Sequence, residues 1–120
     1  MKMIIVVLLL ETASISSLGG CELSVGIYSN GLGIRFTTVA TSEAEEIGIR
    51  DFVLYEKALI GWNEISIKDY CDYDTDFYSN AVVYVRAVEG KTYKASCTHY
   101  AIIDGVEYTL ENETSEIVYN

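Results

Sequence analysis

The chain has no proline, a single histidine, a single tryptophan and only eight Lys and Arg among 120 residues. Each scarcity excludes something. Without proline there is no collagen-like or polyproline segment. One His cannot serve a site that needs two imidazoles, and the three Cys show neither a Cys-x-x-Cys nor a paired Cys/His spacing of the kind zinc requires. Eighteen Asp and Glu against eight basic residues leave a formal net charge of −10. Such a chain is poorly equipped to neutralise a row of phosphates, so neither nucleic acid nor an anionic membrane surface is an expected partner. What is abundant is Val, Ile, Leu and Tyr, spread along the whole length, which argues against disorder. The length suits one domain with a core of its own.

Met1-Lys2-Met3 followed by an uncharged apolar run over residues 4–10 has the form of a short secretory signal, with small residues after it. The run is too short to span a bilayer. The organisation expected is therefore an export signal over residues 1–17 and a single domain over 18–120, in an extracellular or cell-surface location. A buried first strand is the structural alternative for the same apolar run. Ser17-Leu18-Gly19-Gly20-Cys21 also resembles a bacterial lipobox, which would put a lipid anchor on Cys21; the plainer reading is a Gly-Gly turn with Cys21 opening a strand.

From residue 21 the pattern is strand and turn in alternation. Leu23, Val25 and Ile27 alternate with polar or small neighbours, Ser29-Asn30-Gly31 turns the chain, and Ile34, Phe36 and Thr38 resume the period of two. Residues 41–46 are polar and acidic and read as a loop or one helical turn. Further strands are expected over residues 47–56, 62–67, 81–88, 92–102 and 106–110, with an acidic, Tyr-rich connection over 68–79. Asp104-Gly105 is a strong hairpin signal. No segment keeps a helical period over three turns, so the expected fold is an all-β antiparallel sandwich of about seven strands. By alternation its core comprises Val25, Ile27, Ile34, Phe36, Ile49, Val53, Trp62, Ile65, Val83, Val85, Tyr93, Ala95 and Cys97.

The run from Glu89-Gly90-Lys91-Thr92-Tyr93 to Cys97-Thr98-His99-Tyr100 resembles the turn and following strand of an immunoglobulin-like or fibronectin type III domain. That resemblance implies a structural corner at Tyr93, whose hydroxyl would bond back across the turn. More broadly, Ala44-Glu45-Glu46-Ile47-Gly48-Ile49, Leu54-Tyr55-Glu56-Lys57, Gly61-Trp62, Gly90-Lys91-Thr92-Tyr93, Cys97-Thr98-His99-Tyr100-Ala101 and Glu111-Asn112-Glu113-Thr114 are similar to small exported proteins of clostridial Gram-positive bacteria. The likeness runs over residues 30–119. It implies an exported sandwich and carries no activity with it.

Four constellations invite a chemical reading. Asp72, Asp74 and Asp76 alternate in the acidic stretch and are the weak candidates for a hard cation, against a solvated acidic segment. Cys97 and His99, two apart on one strand, share a face, but their backbones lie nearly 7 Å apart and no third group is evident, so a catalytic pair is not expected. Tyr28, Tyr70, Tyr73, Tyr78, Tyr84, Tyr100, Tyr108 and Tyr119 could supply an aromatic binding platform. Asn112-Glu113-Thr114 is a glycosylation sequon, relevant only in a eukaryotic secretory pathway. With three Cys, one bridge and one free thiol are expected outside the cell. Cys71–Cys97 is favoured over Cys21–Cys97 because a loop bends toward a strand more easily than a fixed strand start does. No cofactor is expected. The functional expectation is a non-enzymatic exported module, binding a protein or carbohydrate partner at the cell surface. The alternative is a small secreted effector or toxin of a eukaryotic microbe.

Overall fold

The computed structural model describes residues 17–120. The export signal expected over residues 1–17 lies outside the described residues, apart from Ser17. The described chain is all-β: β1 Glu22–Tyr28, β2 Gly31–Lys57, β3 Trp62–Ser66, β4 Tyr70–Tyr84, β5 Thr92–Ile103, β6 Val106–Glu113 and β7 Ile117–Val118. Every pairing is antiparallel.

The organising element is β2. Its first part lies between β1 and β4, its middle between β4 and β5, and its last residues between β3 and β5. The 27 residues of β2 would extend to about 90 Å, yet the longest dimension of the molecule is 56 Å. The strand therefore bends back over itself. Breaks in register between Val39 and Ala44 on the β4 side, and between Arg50 and Val53 on the β5 side, mark where it does so.

The second break decides the core. Arg50 pairs with Thr98 and Val53 with Ser96, so Asp51 and Phe52 together oppose Cys97. Asp51 takes a left-handed φ of 50°, the conformation a bulge residue tolerates when it is Asp. One extra residue reverses the alternation. Ile47 and Ile49 are buried before the bulge, and Phe52 and Leu54 after it. Strict alternation puts Phe52 and Leu54 opposite Ile49; the bulge brings all of them to one side.

Leu32, Ile34 and Phe36 from the first part of β2 meet Phe52 and Leu54 from its last part, together with Tyr93, Ala95 and Cys97 of β5. The Phe36 and Phe52 rings touch edge to face, 5.5 Å between centroids, a geometry that adds to area burial. Two layers thus exist, but all seven strands belong to one hydrogen-bonded sheet, curled into a half-barrel. A sandwich of two separate sheets is not what the hydrogen bonding shows, because β2 passes from one layer into the other. Among the expected core residues, Ile27 and Val85 are exposed and Trp62 stands half-buried on the outer face. The acidic residues 41–46 continue β2 as strand, and most of the expected 68–79 connection is β4. Asp104 and Gly105 form the two-residue β5–β6 turn, both at positive φ (51° and 75°), as a type I′ turn demands.

Among the described strands β4 pairs with β2 alone, leaving one long edge with neither Lys nor Pro to guard it. Alternate amides of an antiparallel edge strand point away from the partner. On β4 three of them are covered by the strand's own side chains. Tyr73 N–H donates to Asp72 Oδ1 and Ala81 N–H to Asn80 Oδ1, both at 2.8 Å, and Phe77 N–H reaches Thr75 Oγ1 at 3.4 Å. These caps occupy the donors that a second strand would use. Asp72→Ala with Asn80→Ala should raise self-association in sedimentation velocity, whereas Asp72→Asn, which keeps an acceptor, should leave the protein as it is. A double-alanine variant with an unchanged sedimentation coefficient at high concentration removes this role for the caps.

Candidate functional site

Cys97 and His99 lie on β5 facing the core, and their side chains converge: Cys97 Sγ is 3.7 Å from His99 Nε2. Backbone spacing alone would keep them apart; both side chains lean toward each other along the strand. A third group is also present. His99 Nδ1 is 2.8 Å from Thr38 Oγ1, whose hydroxyl is in turn 3.1 Å from the Gly48 carbonyl. A carbonyl only accepts, so the Thr38 proton goes to Gly48 and Nδ1–H donates to Thr38 Oγ1. Nε2 is then the acceptor, taking Asn112 Nδ2–H at 3.2 Å and the Cys97 S–H. The imidazole is held in one tautomer by four residues from three strands. Asn112, the sequon residue, is spent on this network.

Geometry resembling an activated thiol is therefore present, but its electrostatics oppose activation. Burial pushes the Cys97 thiol up to about 12, with Cys21 adding to the effect. Burial pushes His99 down to about 4. A thiolate–imidazolium pair needs the opposite displacements. Gly48 contributes besides its carbonyl: a Cβ there would collide with the backbone of Tyr70 and Cys71, so only glycine lets β4 approach β2 beside Thr38.

On the other face, the bulge opens a groove of about 450 Å³ across β2, β5 and β6. Asp51, Val53, Tyr55, Ser96, Thr98, Glu111 and Glu113 line it, with Cys97 and Asn112 also contributing. Three carboxylates thus face one groove. Beside it Tyr55 and Trp62 pack edge to face at 6.5 Å, with Lys94 Nζ 4.7 Å from the Trp62 ring and 3.5 Å from Glu113. Further along the same sheet Arg50 makes a two-bonded ion pair with Glu107 (2.6 and 2.7 Å), which pushes the Arg50 guanidinium up and the Glu107 carboxyl down. Tyr100 donates to Glu46, and burial with that bond pushes its hydroxyl far above the usual tyrosine range.

The remaining expected residues are dispersed. Tyr93 Oη accepts from Val88 N–H at 2.8 Å and donates to Glu56 Oε2 at 2.6 Å, closing the corner between β4 and β5. Burial and Glu56 push it up to about 12, and the Tyr93 bond, then Lys91, hold Glu56 below its usual range. Asp72, Asp74 and Asp76 are exposed along β4, and among the described residues no group of three or more His, Cys, Asp and Glu is placed to hold a metal ion. Asp74, between the other two, takes a left-handed φ of 55°, and the three carboxylates do not gather into one site. Cys21, Cys71 and Cys97 are all free thiols. The Cys71–Cys97 bridge does not form because β2 separates the two strands: Gly48 faces Cys71 on one side and Tyr100 on the other, more than the 7 Å a disulfide spans between Cα atoms. The Tyr set makes no platform. Tyr70, Tyr78, Tyr84, Tyr108 and Tyr119 pack on the buried clusters and Tyr100 is buried, leaving Tyr28 and Tyr73 exposed. The aromatic pair beside the groove, Tyr55 with Trp62, lies outside that set; its sequence signal is the outward parity that Trp62 shares with Tyr55 across the β2–β3 hairpin. Comparison with family models, with curated proteins and with solved structures finds no match to this chain.

The folded state disfavours protonated His99, so the stability this residue contributes is complete above the unfolded pKa of about 6.5 and is lost as pH falls toward about 4. The loss should reach on the order of 3 kcal/mol, and urea unfolding of wild type against His99→Gln between those pH values checks it: the variant should lack that part of the slope. Trp62→Ala, on the outer face, should cost about 1 kcal/mol by denaturant unfolding, not the 3–5 of a buried aromatic.

Proposed function

We propose that this protein is an exported, non-catalytic binding module that holds a cationic segment of a protein partner in the groove over the β2 bulge. The observation that carries this reading is the convergence of Asp51, Glu111 and Glu113 on one groove beside the Tyr55–Trp62 pair. Carboxylates favour Lys and Arg side chains, and an aromatic wall covers their methylene stems. The non-catalytic part is supported by the environment of Cys97 and His99, both held neutral by burial. The Tyr93 corner and the two packed layers support an immunoglobulin-like or fibronectin type III-like affinity for the curled sheet. The apolar run over residues 4–10 after Lys2 supports export.

Titration with an oligolysine peptide tests the groove. Wild type should bind with an affinity that falls with salt, and Glu111→Gln with Glu113→Gln should weaken it by about tenfold. Asp72→Asn with Asp76→Asn makes the same change in net charge away from the groove and should leave binding intact. Equal losses in the two double variants would reduce the interaction to nonspecific attraction by an acidic protein and sink the groove. Fractionation of the native host tests export separately: full-length chain confined to the cytosol removes it.

A further inference from the structure

The two ends of the half-barrel differ in chemistry. Leu32 pairs with Tyr84, Tyr93 bonds both Val88 and Glu56, and Lys91 Nζ reaches Glu56 at 3.2 Å. These links bring the β1–β2 turn, the β2–β3 turn and the β4–β5 connection to one end. At the other end Gly105 N–H donates to Glu45 and Arg50 is held by Glu107, where Glu43, Glu46 and Asp104 also gather along the middle of β2 and the β5–β6 turn.

The first end is apolar, and its charged side chains are Lys57, Arg86 and Lys91 against Glu56 and Glu89. In the β2–β3 turn Leu59 is 103% and Ile60 91% exposed, the most exposed large apolar residues described. Val85 and Val88 in the β4–β5 connection add 68% and 46%. Lys57 and Arg86 are exposed beside them, Lys91 is matched by Glu56, and Glu89 is the sole carboxylate in the three connections. The tip is stiff. Ala58 N–H donates to the Gly61 carbonyl at 3.0 Å, Gly61 takes the φ of 71° that closes the turn, and Lys57 Nζ sits 5.8 Å from the Trp62 ring at its base.

We propose that this end docks on an anionic lipid surface, with Leu59 and Ile60 inserted among the acyl chains and Lys57 and Arg86 on the headgroups. The tip projects both aliphatic side chains fully into solvent, with Val85 and Val88 also exposed at the same end. A protein partner would have to supply a fitted pocket, whereas a bilayer requires only depth. Trp and Lys at the base of the tip match the chemistry of the membrane–water boundary. The overall charge of −10 does not prevent this, because the carboxylates gathered at the far end act across salt solution with a Debye length of about 8 Å. They instead orient the molecule with its basic end toward the lipid.

Trp62 is the chain's single tryptophan, and it stands both at the base of the tip and beside the groove, so quenching from within the bilayer separates the two. The experiment is flotation of the full chain with phosphatidylcholine vesicles, with and without a minority of phosphatidylserine, together with Trp62 quenching by lipids brominated along the acyl chains. Wild type should float with the phosphatidylserine vesicles, less so at high salt, and its emission should be quenched. Leu59→Ser with Ile60→Ser, both in a solvent-exposed turn, should keep the melting temperature and lose at least about tenfold in partitioning. Lys57→Glu should weaken binding and leave the quenching depth of the bound fraction unchanged. Wild type left unbound, binding that survives the double serine variant, or Trp62 untouched by the brominated lipids each overturns the proposal. The second of these would assign any vesicle binding to the apolar run over residues 4–10 or to a different face. A tip-dependent pull-down of protein with no vesicle binding overturns it in favour of a protein partner.

Discussion

An extended strand can present its apolar residues to one side only while its alternation is unbroken, and β2 needs to serve two layers that face each other. The residue at Asp51 reconciles these demands. Its left-handed φ inserts one residue opposite Cys97, reverses the parity of the strand beyond it, and so brings Phe52 and Leu54 to the same interior as Ile49. Without it the last part of β2 would turn Val53 and Tyr55 inward and leave two large apolar residues in water, a loss of several kcal/mol. The same insertion spreads the outer surface and creates the groove. Core and candidate site are thus two faces of one backbone irregularity.

The buried polar network depends on that arrangement. His99 can be fully buried because every hydrogen-bonding atom of its ring is matched, from Thr38 on β2 and Cys97 and Asn112 on β5 and β6. A matched neutral imidazole is compatible with a dry interior, and a protonated one is not. A catalytic Cys–His pair requires a partly hydrated or positively charged setting for its thiolate. Here burial holds the same two side chains neutral, and their hydrogen bonds join three strands.

Much of this fold is legible in the residues themselves. Alternation places β1 and β5, the Asp-Gly dipeptide places the β5–β6 turn, and the same alternation turns Ile34, Phe36, Tyr93 and Ala95 inward, where they are fully buried. The two missed strand segments share one cause. Residues 41–46 and 69–76 are rich in Glu and Asp, which have low strand propensity alone, and each reads as a connection. In the fold Ala44 and Glu46 are laddered to Thr75 and Tyr73 across β2 and β4, and the pairing of the flanking segments outweighs propensity. The size of Trp62 argues for the core, but parity across the hairpin puts it with Tyr55 and Lys57 on the outer face. The groove is illegible for a related reason: it requires residues from β2, β5 and β6 and a bulge that no local pattern announces.

The course of β2 has a bearing on how this chain becomes a folded object. Neither layer is encoded by a contiguous stretch. The first takes β1, the early part of β2 and the late part of β4, and the second takes the late part of β2 with β3, β5 and β6. Nothing emerging before Tyr93, Ala95 and Cys97 can seal the interior around Phe36 and Phe52. Most contacts join residues far apart in sequence, which slows closure relative to a helical chain of this size. A polypeptide built this way cannot close the interior around Phe36 and Phe52 until β5 has been delivered.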